Sequence, residues 1–312
     1  MSDNQENNNT ILLKKITKLI DTHGIVSYKK DFMDKAKKIS KSKLSLDENE
    51  FIRYIGKLLK KHYSIHTNIL PYRKTSNNVS SMKLPLVKFY DKHKIGYVRI
   101  FGFVSEFIGL KETIKSKQRR ELVINNIKKF VITCVNQNYS IIIDVCDNFG
   151  GNLYPMIMGL KSLFVSSIRP VSYGFSFDNN PQHDVYFSYD KSDQHNRIYF
   201  NDKFKKKHAH NDLLMIGKIG IIVNKNTSSS GEFVAFLFQG RDNVKIFGEK
   251  TAGYLSTNST LKINNNYIIA LTTGLAKNIV GTCRKQYIKP DILCKIVGNN
   301  NAFDMCVKWL SK

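Results

Sequence analysis

Ser229 and Glu232 stand three positions apart in the stretch Lys225-Asn226-Thr227-Ser228-Ser229-Ser230-Gly231-Glu232. The apolar run before it, residues 219–223, reads as a buried strand, and residues 233–238 read as the start of a helix packed on that strand. A serine in such a turn faces free helix N–H groups and the positive end of the helix dipole, which favour developing negative charge. The same Ser229-x-x-Glu232 spacing is also a capping box, a common way to begin a helix. The stretch is therefore either a cap or the seat of a nucleophile. A serine nucleophile needs two further parts, a base for its proton and donors for an oxyanion. The Gly150-Gly151 turn, which ends the apolar run 140–145, is a plausible source of the donors, because glycine lets backbone N–H groups come close to a ligand. The base must come from elsewhere in the chain.

The other reactive side chains read more simply. Cys134, Cys146, Cys283, Cys294 and Cys306 are odd in number and form no CxxC, so they read as free thiols in a reducing compartment. His208 and His210 alternate on a possible strand, but without a third ligand they read as surface histidines, and neither a metal nor a cofactor is expected. Lys+Arg is 49 against Asp+Glu 25, a formal charge of +24. That surplus attracts nucleic acid or anionic surfaces non-specifically, yet the lysines are scattered and no arginine-rich arm appears. Residues 1–9 are polar, and no run approaches the ~18 apolar residues of a membrane span. The expectation is a soluble, intracellular, cytoplasmic protein.

The elements that must position these groups follow from periodicity. Residues 1–9 read as a disordered lead. Residues 10–70 form a helical N-terminal region: helices over 10–21, 31–42 and 47–61, the last capped by Asp47, and then an extended stretch holding His66. From residue 84 to 312 strands and helices alternate. Strands are expected over 95–101, 140–145, 216–223, 245–247, 267–272 and from Pro290, and helices over 117–137, 153–164, 233–238 and 302–311. A hairpin is expected across Asn264-Asn265-Asn266. Residues 171–214 are rich in tyrosine and phenylalanine among polar residues and read as a lid of hairpins, with the tract 203–207 a solvated loop. In an α/β sheet of this kind, ligands sit at the carboxyl ends of strands.

Four blocks, in order, resemble the tail-specific, or C-terminal processing, serine protease family. Asp144, Asn148, Gly150 and Gly151 match its Asp-x-x-x-Asn-x-Gly-Gly strand end. Residues 227–232 resemble its Thr-Ala-Ser-Ser/Ala-x-Glu motif, 248–253 its Gly-x-x-Thr-x-Gly turn, and 288–292 its Ile/Val-x-Pro-Asp-Ile. Within the family the branch of the nisin-resistance protease is most similar, through Gly151-Asn152-Leu153-Tyr154-Pro155-Met156 and Ser256-Thr257-Asn258. The resemblance implies an α/β fold: a ClpP/crotonase-like mixed-sheet core with flanking helices. It implies a serine endopeptidase acting on a peptide or protein substrate through an acyl-enzyme. Ser229 is then the nucleophile and His66, in Ser64-Ile65-His66-Thr67, the base, with His62 the runner-up. Ser230 N–H and Gly150 or Gly151 supply the oxyanion hole, Glu232 braces the turn, and Asn148 and Asp144 support it.

Four departures shape this reading. Tyr254 stands where Ser/Lys members carry their lysine, so that dyad is not available here. Ser64 replaces an aspartate, and residues 281–286 hold no carboxylate to orient His66. The stretch between His66 and Ile95 is too short for a PDZ domain, so substrate choice falls to the lid and the helical N-terminus. The altered Ser64, Tyr254 and Arg284 positions motivate one rival reading, an inactive homologue that binds peptides, and the charge of +24 motivates a second, a basic nucleic-acid-associated protein.

Overall fold

The computed structural model describes residues 7–72, 83–108, 111–163, 173–176, 185–189, 198–200, 217–278, 281–282 and 287–312. Its helices are α1 (Asn8–His23), α2 (Val26–Ala36), α3 (Lys41–Leu44), α4 (Glu48–His62), α5 (Ile114–Asn136), α6 (Tyr154–Leu160), α7 (Ser230–Phe238) and α8 (Ala302–Leu310). The strands run β1 (Asn68–Pro71), β2 (Leu86–Tyr90), β3 (Ile95–Arg99), β4 (Phe107–Ile108), β5 (Lys111–Glu112), β6 (Ser140–Asp144), β7 (Tyr173–Ser176) and β8 (Val185–Tyr189). They continue with β9 (Ile198–Phe200), β10 (Ile219–Val223), β11 (Val244–Gly248), β12 (Ser256–Lys262), β13 (Tyr267–Asn278), β14 (Gly281–Thr282) and β15 (Ile292–Leu293).

The chain divides into two compact units. One gathers Met1–Lys74, Phe175–Asp184 and Ser256–Leu275. In it, Leu12, Ile16 and Ile20 recur along α1 at helical spacing, and Phe51, Ile52, Ile55 and Leu59 do the same along α4. These stripes are buried in one cluster with Ile263, Tyr267, Ile269 and Leu271 of the β12–β13 hairpin. β1 extends the hairpin, pairing antiparallel with β13 from Asn68↔Ala270 to Pro71↔Tyr267. Asp47 caps α4, its carboxylate accepting from Glu50 N–H at 3.0 Å. The helix expected over 31–42 is two. α2 begins earlier, where Ile25 and Phe32 are buried, and Ser40, extended at φ −70° and ψ 156°, separates it from α3. The expected boundary between residues 70 and 84 is thus crossed by one hairpin, because residues 256–275 lie with the N-terminal helices.

The second unit gathers Thr75–Gly174, Val185–Leu255 and Ala276–Lys312. Its sheet has the order β15-β11-β10-β6-β3-β2, parallel throughout except for the antiparallel edge strand β2. This is the mixed sheet with flanking helices that the resemblance implies. Every residue of β10 and four of five in β6 are buried, as strands covered on both faces require. Two glycines set how closely the helices approach. A Cβ on Gly96 would lie 2.3 Å from Cys134 of α5, and one on Gly220 would lie 2.0 Å from Cys306 of α8. Ile95 belongs to the cluster under α8 while its neighbour Gly96 faces α5, so the two helices cover opposite faces.

Of the expected lid over 171–214, β7, β8 and β9 are described, with β8 and β9 paired antiparallel from Phe187↔Phe200 to Tyr189↔Ile198. The tract 203–207, His208 and His210 lie outside the described residues. Cys134, Cys146, Cys294 and Cys306 are free thiols. No described helix is long and apolar enough to cross a membrane.

Candidate active site

β6, β10 and β11 run parallel, so the turns that leave their carboxyl ends emerge on one edge of the sheet. The turn after β10 carries Ser229. Its backbone, at φ 51° and ψ −116°, lies in a region that residues with a Cβ rarely adopt. Helix α7 starts at the next residue, Ser230. The strained turn is held by Glu232, which is fully buried and accepts four hydrogen bonds. They come from Ser229 N–H at 2.9 Å, Tyr254 N–H at 2.7 Å, Gly253 N–H at 2.8 Å and the Thr251 hydroxyl at 2.5 Å. One side chain thereby ties the turn after β10 to the turn after β11. Burial pushes the Glu232 carboxyl above its ordinary range, and the four donors pull it back toward the anion.

The turn after β6 packs on the serine turn. A Cβ on Gly150, at φ 92°, would sit 2.6 Å from the Ser229 Cβ, so only glycine fits there. Ser228 N–H donates to Asn148 O at 2.9 Å, the Ser230 hydroxyl to Gly151 O at 2.6 Å, and the Thr227 hydroxyl to Val145 O at 2.9 Å. Asn148, fully buried, donates to Ile100 O at 3.1 Å and accepts from Gly150 N–H at 2.9 Å. That last bond corrects one expectation. The Gly150 N–H is engaged within its own turn, so Gly150 offers space rather than a donor. Among the described residues the N–H groups of Gly151 and Ser230 have no acceptor.

Asp144 accepts from the Tyr97 hydroxyl at 2.5 Å and from Cys146 N–H at 2.8 Å, which shapes the start of the glycine turn. Asp147 was not singled out from the sequence, yet it links the two turns. Its carboxylate accepts from Asn224 and Asn226 at 2.9 Å each and pairs with Arg99 at 2.9 Å. The two asparagine bonds, with Arg99, hold it below the usual carboxylate range.

His66 lies in the other unit, between α4 and β1. Its Nδ1 is 2.8 Å from the Ser256 hydroxyl, its carbonyl accepts from Asn258 Nδ2 at 2.8 Å, and its N–H donates to the Ser64 hydroxyl at 3.2 Å. Beneath it, Thr67 donates to the Thr272 hydroxyl at 3.0 Å, and that hydroxyl lies 2.9 Å from Ser64. Ser64 is therefore part of the buried hydroxyl network that shapes the loop. Burial lowers the His66 pKa to about 4, so the ring is neutral at pH 7 and able to accept a proton. The runner-up, His62, is 2.8 Å from Asp31 through Nδ1. The partners of His66 were missed as such. The Ser256-Thr257-Asn258 block was visible, but a hydrogen bond across 190 positions leaves no local trace. Among the described residues no three His, Cys, Asp or Glu side chains gather as a metal ion requires.

A mixed sheet that presents a strained serine turn clasped to a glycine turn at its carboxyl edge defines the class, an α/β protein with a peptidase fold. Residues 94–294 match peptidase family S41, and the chain belongs to that family. The likeness read from the four blocks is thereby borne out. Among curated proteins the chain is 29% identical over 175 residues to the nisin-resistance protein of Lactococcus lactis subsp. lactis. The match takes in 55% of this chain and 50% of the relative, so the chain spans about half the length of that protein. Among solved structures it is similar to a lipoprotein from Streptococcus agalactiae, with 21% identity and a TM-score of 0.63 over 97% of this chain and 96% of the other. A protein from Parabacteroides merdae matches with 14% identity and a TM-score of 0.62 over the same shares. At these identities the two structures speak for the fold alone.

Proposed function

We propose that this S41 protein is a serine endopeptidase that cleaves peptide or protein substrates through an acyl-enzyme, with Ser229 as nucleophile and His66 as base. The observation that carries the reading is the strained Ser229 turn, clasped to the glycine turn beside two N–H groups that have no acceptor among the described residues. Strain of this kind persists only where the surroundings enforce it, and it gathers at catalytic positions. Ser229 Oγ forms a bond to the substrate carbonyl carbon while its proton passes to His66 Nε2. The Gly151 and Ser230 N–H groups take the oxyanion. The imidazolium then protonates the leaving amine as the C–N bond breaks, and water, deprotonated by the same ring, hydrolyses the ester.

Labelling of the full chain with a fluorophosphonate probe tests the reading. The wild type is expected to label, and both Ser229→Ala and His66→Gln are expected to abolish labelling. A folded wild type that never labels, yet binds peptides, points instead to a non-catalytic peptide binder.

A further inference from the structure

We propose that Ser256 is the positioning residue of His66, and that its hydroxyl fixes the tautomer and heading of the ring so that Nε2 is the nitrogen that takes the proton. The proposal rests on the reading of His66 as the base. Its ground is a three-point grip within one unit. Ser256 Oγ meets Nδ1 at 2.8 Å, Asn258 holds the carbonyl at 2.8 Å, and Ser64 accepts the N–H at 3.2 Å. Ser256 opens β12 opposite Leu275 and is only 8% exposed, so its rotamer is set by packing. The register of β12 on β13 shifts between Thr257 and Asn258, an irregularity of the kind that re-aims side chains. That shift separates the residue that holds the ring from the residue that holds the main chain.

The grip is made of neutral groups. Ser64, Ser256, Asn258 and Thr272 are hydroxyls and an amide. On α4, His62 is tied to Asp31. Lys262 and Tyr267, the ionisable residues of β12 and of β13's opening, flank the opposite end of the hairpin, with Tyr267 bonded to Asn49 at 2.6 Å. A hydroxyl can accept from Nδ1–H or donate to Nδ1; in the proposed arrangement it accepts, which puts the ring's lone pair on Nε2. It carries no charge to stabilise the imidazolium, which a carboxylate in its place would do. Ser256 therefore orients His66 without raising its basicity, and burial keeps the pKa low.

Two measurements on the full chain test this. In a Ser229→Ala background, 15N-histidine NMR reads the His66 tautomer and its titration, with His66→Gln providing the assignment. Ser256 is expected to give the Nδ1–H tautomer, Ser256→Ala a mixture of tautomers, and Ser256→Thr the original state. Ser256→Asp is expected to raise the His66 pKa by about one unit or more. In the Ser229 enzyme, Ser256→Ala is expected to lower kcat by about 10–100-fold with KM nearly unchanged, and threonine to restore it. A tautomer unaffected by Ser256→Ala, or a His66 titration that Ser256→Asp leaves in place, overturns the proposal. If the wild type lacks peptidase activity, the proposed function fails on its own, and the NMR measurement still decides the role of Ser256.

Discussion

At the scale of single residues, two ionisable side chains of the candidate site are held in opposite ways. Glu232 uses both carboxylate oxygens for four donors, so an amide in its place would turn an NH2 toward two of them. Each buried donor left without an acceptor costs about 1–3 kcal/mol. Glu232→Gln is therefore expected to destabilise the fold by about 2–4 kcal/mol in urea titration. It should also abolish fluorophosphonate labelling, because the Ser229 turn loses its brace; a variant that keeps wild-type stability would refute the bracing role. His66 is set by burial. With a folded pKa of about 4, below the unfolded value of 6.5, it binds fewer protons in the fold between those limits. Its contribution to stability is complete above pH 6.5 and is lost as pH falls toward 4. The rate should follow the same group, with the acid limb of kcat/KM near pH 4 and a plateau through neutrality. A limb near 6.5 would mean that the base is not this buried ring. The serine turn and the glycine turn, and the stretch that holds His66, could be picked out as candidates because each sits in a local block. The contacts of Asp147 and Ser256 could not, since they join turns and strands far apart in the chain.

Elements are seated here by what glycine leaves out. Gly220 of β10 lets the Cys306 thiol of α8 reach the sheet, and the buried thiol has its pKa pushed up. Gly220→Ala alone should cost about 1–3 kcal/mol through overpacking. Cys306→Ala clears the clashing sulfur, so the double variant should recover most of that loss. A double-mutant cycle in urea should then show coupling above about 1 kcal/mol. Additive losses would mean that α8 is not seated by this contact. The elements most readily read from sequence were those with strong internal pattern, such as β6, β10, α4 and α8. β12, with the sequence Ser-Thr-Asn-Ser-Thr-Leu-Lys, was not assigned, because its strand conformation comes from pairing with β13. β13 runs on to Asn278, past the 267–272 expected, through Thr273, Gly274 and Lys277, which carry little strand signal. The expected helix over 153–164 closes early: α6 ends at Leu160 and a tighter turn, Lys161–Leu163, follows.

For the whole molecule, the formal charge of +24 is the property no single element explains. Four acidic groups of the second unit are already partnered. Asp144 and Asp147 face Arg99, Glu106 pairs with Arg119 at 2.8 Å, and Glu112 pairs with Arg120. The surplus is therefore carried largely by lysines distributed along the chain, which act at long range rather than through one built site. Such a field speeds the encounter with acidic partners and is screened over about 10 Å at 0.1 M salt. For the endopeptidase proposed above, this separates two kinds of substrate. An acidic peptide should lose roughly 10-fold in kcat/KM between 20 and 200 mM salt, mainly through KM, as steered association weakens. A neutral peptide of the same length should change little. Duplex DNA should bind at low salt, without sequence preference, and weaken steeply over the same range. Equal salt response of the two peptides would show that the charge does not reach the site. Tight DNA binding that survives physiological salt would instead demand a dedicated nucleic-acid surface.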